Sequence, residues 1–481
     1  MAAQPEFIGT KSKMGVSHEG EESKGSMRTG VGRGMIILGI FAFFVALTGG
    51  ASRFDAMQII PLRTLSALVI ASSLFFLTKE KLEAERALFL MFGSFALLVA
   101  LQLVPLPPWL WQRLPERLEV SQLDAALGLE EIWRPLTLAP MRTWNVLGSL
   151  VVPGAALVLA IALRASSMML LRIIAGLGVL NALLGLLQIA SGRSSAFYIY
   201  EITNRGSPVG FLASENHASI FAACSMLVVT LLGLRARNAP YNSWETLVYP
   251  VAFFFILFVS LVGGSRAGFL AAIGAVLVSM IMLFLSPRHR KGRSAEDAAR
   301  RWLDDRPRIV LALPVVIVLL TAVSFLALDR APAFRDILAS DSLADLRWSL
   351  WPVIVAILEN HWLLGTGFGS FEQVYHIYEP SALLMPQYIN QAHNDWAQFV
   401  IEGGVWAGLL LIVLLVWMVK VIGAMALRRT HRVDAIFWMS LFAIIAAASV
   451  IDYPLRTPLF QLVTVWFLLA LSRHTRDIKT T

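Results

Sequence analysis

The sequence predicts an all-α integral membrane protein with about twelve transmembrane helices and one large external loop that contains amphipathic helices. Three observations lead there. Hydrophobic residues make up 57% of the chain and charged residues 15%, where soluble domains carry about 25% charged residues. The apolar residues fall in runs of roughly 17–25, the length that crosses a bilayer as a helix. Lys and Arg are rich and poor in alternate connecting loops, as the positive-inside rule requires.

Residues 1–33 are polar and rich in Gly, Ser, Lys and Glu. Such a stretch lacks the apolar content to pack, which predicts a disordered segment. It does not read as a cleavable signal, because the first apolar run starts late and is long. Spans are then expected near 34–50, 58–77, 86–104, 144–163, 168–190, 214–234, 246–263, 266–286, 309–328, 396–419, 434–451 and 458–472. The expected division is a cytoplasmic segment 1–33, nine spans over 34–328, a periplasmic loop 329–395, three spans over 396–472 and a cytoplasmic tail 473–481.

Orientation follows from charge. With residues 1–33 in the cytoplasm, roughly two-thirds of the 40 Lys and Arg fall on that side. Both termini are then cytoplasmic, and the loop before Asp395 is outside, in a periplasm above an inner membrane. The surplus of +8 therefore reports topology rather than a nucleic-acid partner. The basic stretch 287–308, with Arg288, Arg290, Lys291 and Arg293, reads as an anchor that touches anionic lipid heads. The single cysteine, Cys224, excludes an intramolecular disulfide and a cysteine metal site.

Two external loops are long. The first, 105–143, carries Pro107-Pro108, which breaks the preceding helix, and tryptophans of the kind that mark the interface. It reads as interfacial cover. In the second, 346–364 has Trp348, Trp351, Ile354, Val355, Leu358 and Trp362 at helical spacing, predicting an amphipathic helix on the outer leaflet. Pro352 is expected near its first turn.

The chemistry-bearing candidates sit in the external turns. Arg266 follows Gly263-Gly264-Ser265; it either snorkels to the interface or holds a phosphate bidentately. Arg347 either pairs with Asp345 or Asp341, or does the same. Arg193 and Arg205 precede the sixth span, with Asn204, Glu215, Asn216 and His217 nearby. His393 precedes Asn394, Asp395 and Trp396 where the chain re-enters the membrane. A neutral imidazole there can take a proton from a hydroxyl near neutral pH, or it simply caps the helix. His361 and His376 compete with it. No metal-ligand spacing and no P-loop appear in the external loops, so neither a metal nor a nucleotide cofactor is expected.

Taken in order, Gly210-Phe211 with Glu215-Asn216-His217-Ala218, Gly264-Ser265-Arg266-Ala267-Gly268, Arg347 with Trp351, Leu363-Leu364-Gly365-Thr366-Gly367-Phe368-Gly369-Ser370-Phe371, and Ala392-His393-Asn394-Asp395 with Glu402-Gly403-Gly404 resemble the O-antigen ligase and O-antigen polymerase family. Trp362 departs from the proline many relatives have there, which puts the local loop geometry in doubt. The resemblance implies a C-type membrane glycosyltransferase without metal or nucleotide. The donor would be a glycan on undecaprenyl diphosphate. The acceptor hydroxyl would belong to lipid A-core, a growing polysaccharide or a protein. By resemblance, Arg266 and Arg347 hold the donor diphosphate and His393 activates the acceptor. Arg205, Asn216, His217, Ser265, Asn394 and Asp395 are expected to line the substrates. The Gly365–Gly369 turn would fold the loop over the site as a lid, or merely end a helix. Asp452 and Arg456 would add a polar wall. A flippase of lipid-linked glycans is the alternative from another class; it predicts charges spread through the spans and an internal repeat, and neither is evident.

Overall fold

Helices account for most of the chain because its long apolar runs can satisfy backbone groups in a bilayer only by internal hydrogen bonds. The computed structural model describes residues 18–115, 117–237, 245–286, 342–384 and 389–480; side chains are described within 32–476, and in the helix that begins at Ser342 only from residue 348. The long helices are α1 (His18–Thr48), α2 (Ile59–Leu74), α3 (Arg86–Leu101), α4 (Pro140–Ser149), α5 (Val151–Ala162), α6 (Ser167–Ala190), α7 (Glu215–Arg237), α8 (Glu245–Val262), α9 (Arg266–Leu285), α10 (Ser342–His361), α11 (Phe371–Tyr378), α12 (Asp395–Ala426), α13 (Arg432–Ile451) and α14 (Pro458–Thr480).

Seven helical stretches are long and apolar enough to cross a membrane: Pro140–Ala162, Ser167–Ala190, Glu215–Arg237, Glu245–Val262, Arg266–Leu285, Asp395–Ala426 and Arg429–Ile451. These match seven of the expected spans. Three more expected spans correspond to shorter apolar helices, Gly32–Thr48, Ile59–Leu74 and Arg86–Leu101. The run 458–472 lies in α14. The expected span 309–328 and the basic stretch 287–308 lie outside the described residues. One boundary differs from expectation: α1 starts at His18, so the helix already runs through half of the segment 1–33.

The core is built around α7, which is buried along nearly its whole length from His217 to Ala236. It packs on α9, α8, α6 and α13. By contrast α12 leaves Leu409, Ile412, Val413, Val416 and Val419 exposed. An apolar face of that size is what a lipid-facing helix requires and what a water-soluble one avoids.

The turns sort to two ends of the bundle. At one end Lys81 Nζ bonds Ala162 O, Arg473 and Arg476 pair with Glu85, and Arg235 pairs with Asp434. At the other, Gly50 meets Tyr200 and Ala213, and Leu459 N bonds Gly49 O.

This second end carries a small subdomain with its own core. Leu350, Val353, Ile354 and Ile357 of α10 pack on Phe371, Val374 and Tyr375 of α11 and on Ile389, Ala392 and Ile401. Of the apolar stripe expected to lie on the leaflet, Trp348, Trp351 and Trp362 are exposed while Ile354 is buried in the packed face. The helix is amphiphilic on two sides, and periodicity alone does not say which side meets the protein. Pro352 also sits inside the helix rather than in its first turn.

The glycine-rich turn is a buried joint, not a free lid. Within α12, Gly404 has φ 62° and ψ −159°, which breaks the helix. The break frees the carbonyls of Ile401 and Glu402, and the turn satisfies them: Thr366 N bonds Ile401 O and Gly367 N bonds Glu402 O, each at 2.9 Å. Gly367 has φ 101°, and a Cβ there would lie 1.9 Å from Thr137 Oγ1, so only glycine fits. The other partner is the loop 105–143. It forms a two-residue ribbon, Pro105–Leu106 against Arg134–Pro135, and inserts the fully buried Arg117, whose Nη2 donates to Leu136 O at 2.8 Å and Gly365 O at 3.1 Å. Leu138 N bonds Thr366 O. The loop is thus a structural wedge under the turn.

Candidate active site

His393 sits in the turn that leads into α12. Asn394 caps that helix, its Oδ1 accepting from Ala397 N at 3.0 Å, and Ala392 N donates to Gln398 Oε1 at 2.9 Å. Between these two anchors His393 is held at φ 51°, a conformation uncommon for a side-chain-bearing residue outside functional or tight turns. Its ring stands edge-on to Tyr453, 4.9 Å between centroids.

The ring faces a carboxylate. His393 Nδ1 lies 3.9 Å from Asp452 Oδ1. Asp452 follows the end of α13 and is buried. Asn216 Nδ2 donates to it at 2.8 Å and Tyr453 N at 2.9 Å, and His217 Nε2 is 3.5 Å away. Burial pushes the Asp452 carboxyl up. The hydrogen bond and charge from His217, with His393 and Asn216, outweigh that and hold it well below the usual carboxylate range. His217 is buried and its Nδ1 meets Thr457 Oγ1 at 3.3 Å. At 3.9 Å the Asp452 carboxylate lies beyond hydrogen-bond distance of His393 Nδ1 and acts on that ring through its charge.

A helix N-terminus adjoins this group. Ser265 Oγ caps α9 by accepting from Gly268 N at 2.9 Å. Arg266 is the first residue of α9 and half-buried, and Ala267 lines a small cavity shared with Asn216, His217 and Asp452. The N-terminus of α9, with Ala267 in that lining, therefore brings the positive end of a helix dipole to the His217–Asp452 pair.

Asn216, His217 and His393 thus converge on Asp452, with Ser265 and Arg266 alongside. Asn394 and Ser265 act as helix caps. Asp395 faces the other way: Ser449 Oγ and Leu455 N each donate to it at 3.2 Å, and Arg456 Nε lies at 3.5 Å. Arg205 does not join the cluster; it lies exposed over the Tyr198 ring and bonds Arg193 O. The backbone of Arg347 lies in α10, but its side chain is outside the described residues. His361 is buried against Tyr378, 3.1 Å from Nε2 to the hydroxyl, and His376 sits beside Glu379, so both serve the subdomain.

Sequence reasoning undervalued Asp452 and missed several charged groups. Glu402 is fully buried, taking Arg456 Nη2 at 3.0 Å and Gln398 Nε2 at 2.9 Å. Arg53, Arg63 and Arg142 line a cavity of about 430 Å³ together with Asp395 and Arg456. The Glu402-Gly403-Gly404 motif was the available signal for the first; nothing local marks the others.

Among the described residues, one group could offer metal ligands: His431, Asp434 and His474, whose ligand atoms lie within 4.8 Å of one another. Arg235 Nη2 sits among them, 2.6 Å from Asp434 and 3.0 Å from His474, where a cation would otherwise go. The group lies at the opposite end of α13 from Asp452, roughly 27 Å along the helix.

An all-helical membrane protein with a histidine–carboxylate group at one end of its bundle is the class these features define. Residues 251–413 match the model of the family described as O-antigen ligase. The match supports the O-antigen ligase and polymerase family for this chain, and that family implies a glycosyltransferase-type enzyme of polysaccharide biosynthesis acting on lipid-linked glycan substrates. A search of curated proteins finds no match.

Proposed function

We propose that the protein transfers a glycan from undecaprenyl diphosphate to an acceptor hydroxyl, with inversion at the anomeric carbon and without metal or ATP. The observation that carries this reading is the convergence of His393, His217 and Asn216 on buried Asp452, beside the N-terminus of α9 and Arg266. His393 takes the proton of the acceptor hydroxyl as its oxygen attacks the anomeric carbon from the face opposite the diphosphate. The bond from that carbon to the diphosphate oxygen breaks, and Arg266 and Arg347 stabilise the charge left on it. Asn216, His217, Ser265, Asn394 and Asp395 position these groups.

In this reading the chain crosses the inner membrane twelve times, both termini are cytoplasmic, and the His393 end is periplasmic. Loop 329–395 forms the catalytic cover. The acceptor is lipid A-core, a growing polysaccharide or a protein.

The test is transfer from purified lipid-linked glycan with His393→Ala, Arg266→Ala and Arg347→Ala. Each arginine variant is expected to lose on the order of 100-fold or more in rate. Full activity in His393→Ala refutes the base, and a requirement for ATP or magnesium refutes the mechanism. In cells lacking the protein, long polymer on the carrier identifies a ligase and single repeats identify a polymerase.

A further inference from the structure

The residues 390–395 leading into α12 and the turn 452–457 contribute to two cavities. His217 and Asp452 line the small cavity next to α9. Asp395, Trp396 and Arg456 line the larger cavity of about 430 Å³. That second chamber is graded. Its mouth carries Arg53, Arg142, Glu372 and Gln391, and its floor is Phe92, Pro153, Leu411, Leu414 and Val465. Leu414 lies ten residues beyond the Gly404 break of α12, roughly 15 Å along that helix segment. The chamber therefore runs from a polar end of the bundle into its apolar interior.

Most cations at the mouth are neutralised. Arg53 pairs with Asp55, Arg142 with Glu372 and Arg456 with Glu402. Arg63 differs. It sits in the apolar helix α2, half-buried. Its hydrogen-bond partner among the described residues is a neutral amide, Asn145 Oδ1 at 2.9 Å, and it makes no ion pair with them. The carboxylates of the cavity, Asp55, Glu372 and Asp395, pair with Arg53, Arg142 and Arg456, so the Arg63 guanidinium in its apolar helix calls for a further anion. Two further polar atoms of the same chamber, Gln461 Oε1 and Thr464 Oγ1, are buried without a hydrogen-bond partner among the described residues.

We propose that this chamber binds a phosphate-bearing amphiphile, with Arg63 pairing the phosphate and the hydrocarbon chain lying on the Phe92–Leu414–Val465 floor. A guanidinium binds phosphate through paired, charge-assisted hydrogen bonds, and the polar-to-apolar gradient selects a lipid over a free anion. The inference does not depend on glycosyl transfer, because it is tested by binding without turnover.

The full-length protein in detergent is mixed with dioleoyl phosphatidate, with dioleoylglycerol or with inorganic phosphate, and retained ligand is read by native mass spectrometry. Wild type retains phosphatidate in preference to the other two. Arg63→Ala weakens phosphatidate binding by about tenfold or more, and Arg63→Lys retains part of it. Leu414→Trp fills the floor with Arg63 intact and also lowers phosphatidate binding. Wild-type affinity in Arg63→Ala or in Leu414→Trp overturns the proposal. Equal retention of dioleoylglycerol removes the phosphate, and equal affinity for inorganic phosphate removes the lipid chain. Loss of transfer in His393→Ala with phosphatidate still retained separates this site from the catalytic reading.

Discussion

Replacing Glu402 by Ala tests what holds the broken helix in place. The Glu402 side chain is fully buried and accepts from Arg456 at 3.0 Å and from Gln398 at 2.9 Å. Without it, Arg456 keeps Asp395 at 3.5 Å, and the Gln398 amide keeps Gln391 Oε1 at 2.6 Å. Breaking a buried pair by removing one partner costs about 3–5 kcal/mol. The surviving contacts set the expectation at the lower end, about 3 kcal/mol. Thermal unfolding in detergent, at fixed scan rate, is expected to fall by about 5 °C or more. The joint replacement Glu402→Met with Arg456→Met removes both charges and is expected to recover at least half of that loss. The reasoning fails if Glu402→Ala unfolds within about 1 °C of wild type, or if the double variant is as unstable as the two singles added together.

Other outcomes follow from the same geometry. Gly367→Ala places a Cβ 1.9 Å from Thr137 Oγ1 at φ 101° and is expected to abolish monodisperse protein in size-exclusion chromatography; Gly93→Ala, with nothing within 4 Å, leaves the profile unchanged. Asn394→Ala removes the cap of α12 and costs about 1 kcal/mol, read as a lower unfolding temperature with Asn394→Asp restoring it. Burial, with the Arg117 charge, lowers His361 from 6.5 to about 4, so the folded protein keeps it neutral while the unfolded chain protonates it near its ordinary value. Its contribution is complete above the unfolded value and is lost as pH falls towards 4, by up to about 3 kcal/mol. His361→Gln is expected to flatten stability against pH over that window.

The spans were legible because length and apolar content are local properties, and a bilayer permits few other structures. The caps Ser265 and Asn394 were expected instead to line the substrates, although a polar residue before an apolar run is an N-cap signal. The packed face of α10 was not legible, since Trp348 and Trp351 on one side and Leu350, Val353 and Ile354 on another are both apolar. Arg117 and Gln102 were invisible because their partners are remote in sequence. Gln102 Nε2 bonds Glu402 O and its Oε1 accepts from Phe368 N, across 300 and 266 residues. Asp452 read as one polar residue in a short turn; only the fold shows that His217, at the start of α7, and His393, in the turn before α12, meet on it.

Those remote contacts impose an order on biogenesis. Arg117 and Gln102 are synthesised early, yet the carbonyls they bond belong to the Gly365 turn and the α12 break. Likewise α5 and α6 wait for α14: Trp466 Nε1 bonds Ala156 O and Ser167 Oγ bonds Ala470 O, across 310 and 303 residues. Until those late segments arrive, a buried arginine and several helix faces lack their partners. The nascent chain therefore spends most of its synthesis with loop 105–143 held only by its own ribbon and the Arg117–Leu136 bond. Stalling synthesis before residue 365 should leave Arg117 open to proteases that the finished protein resists.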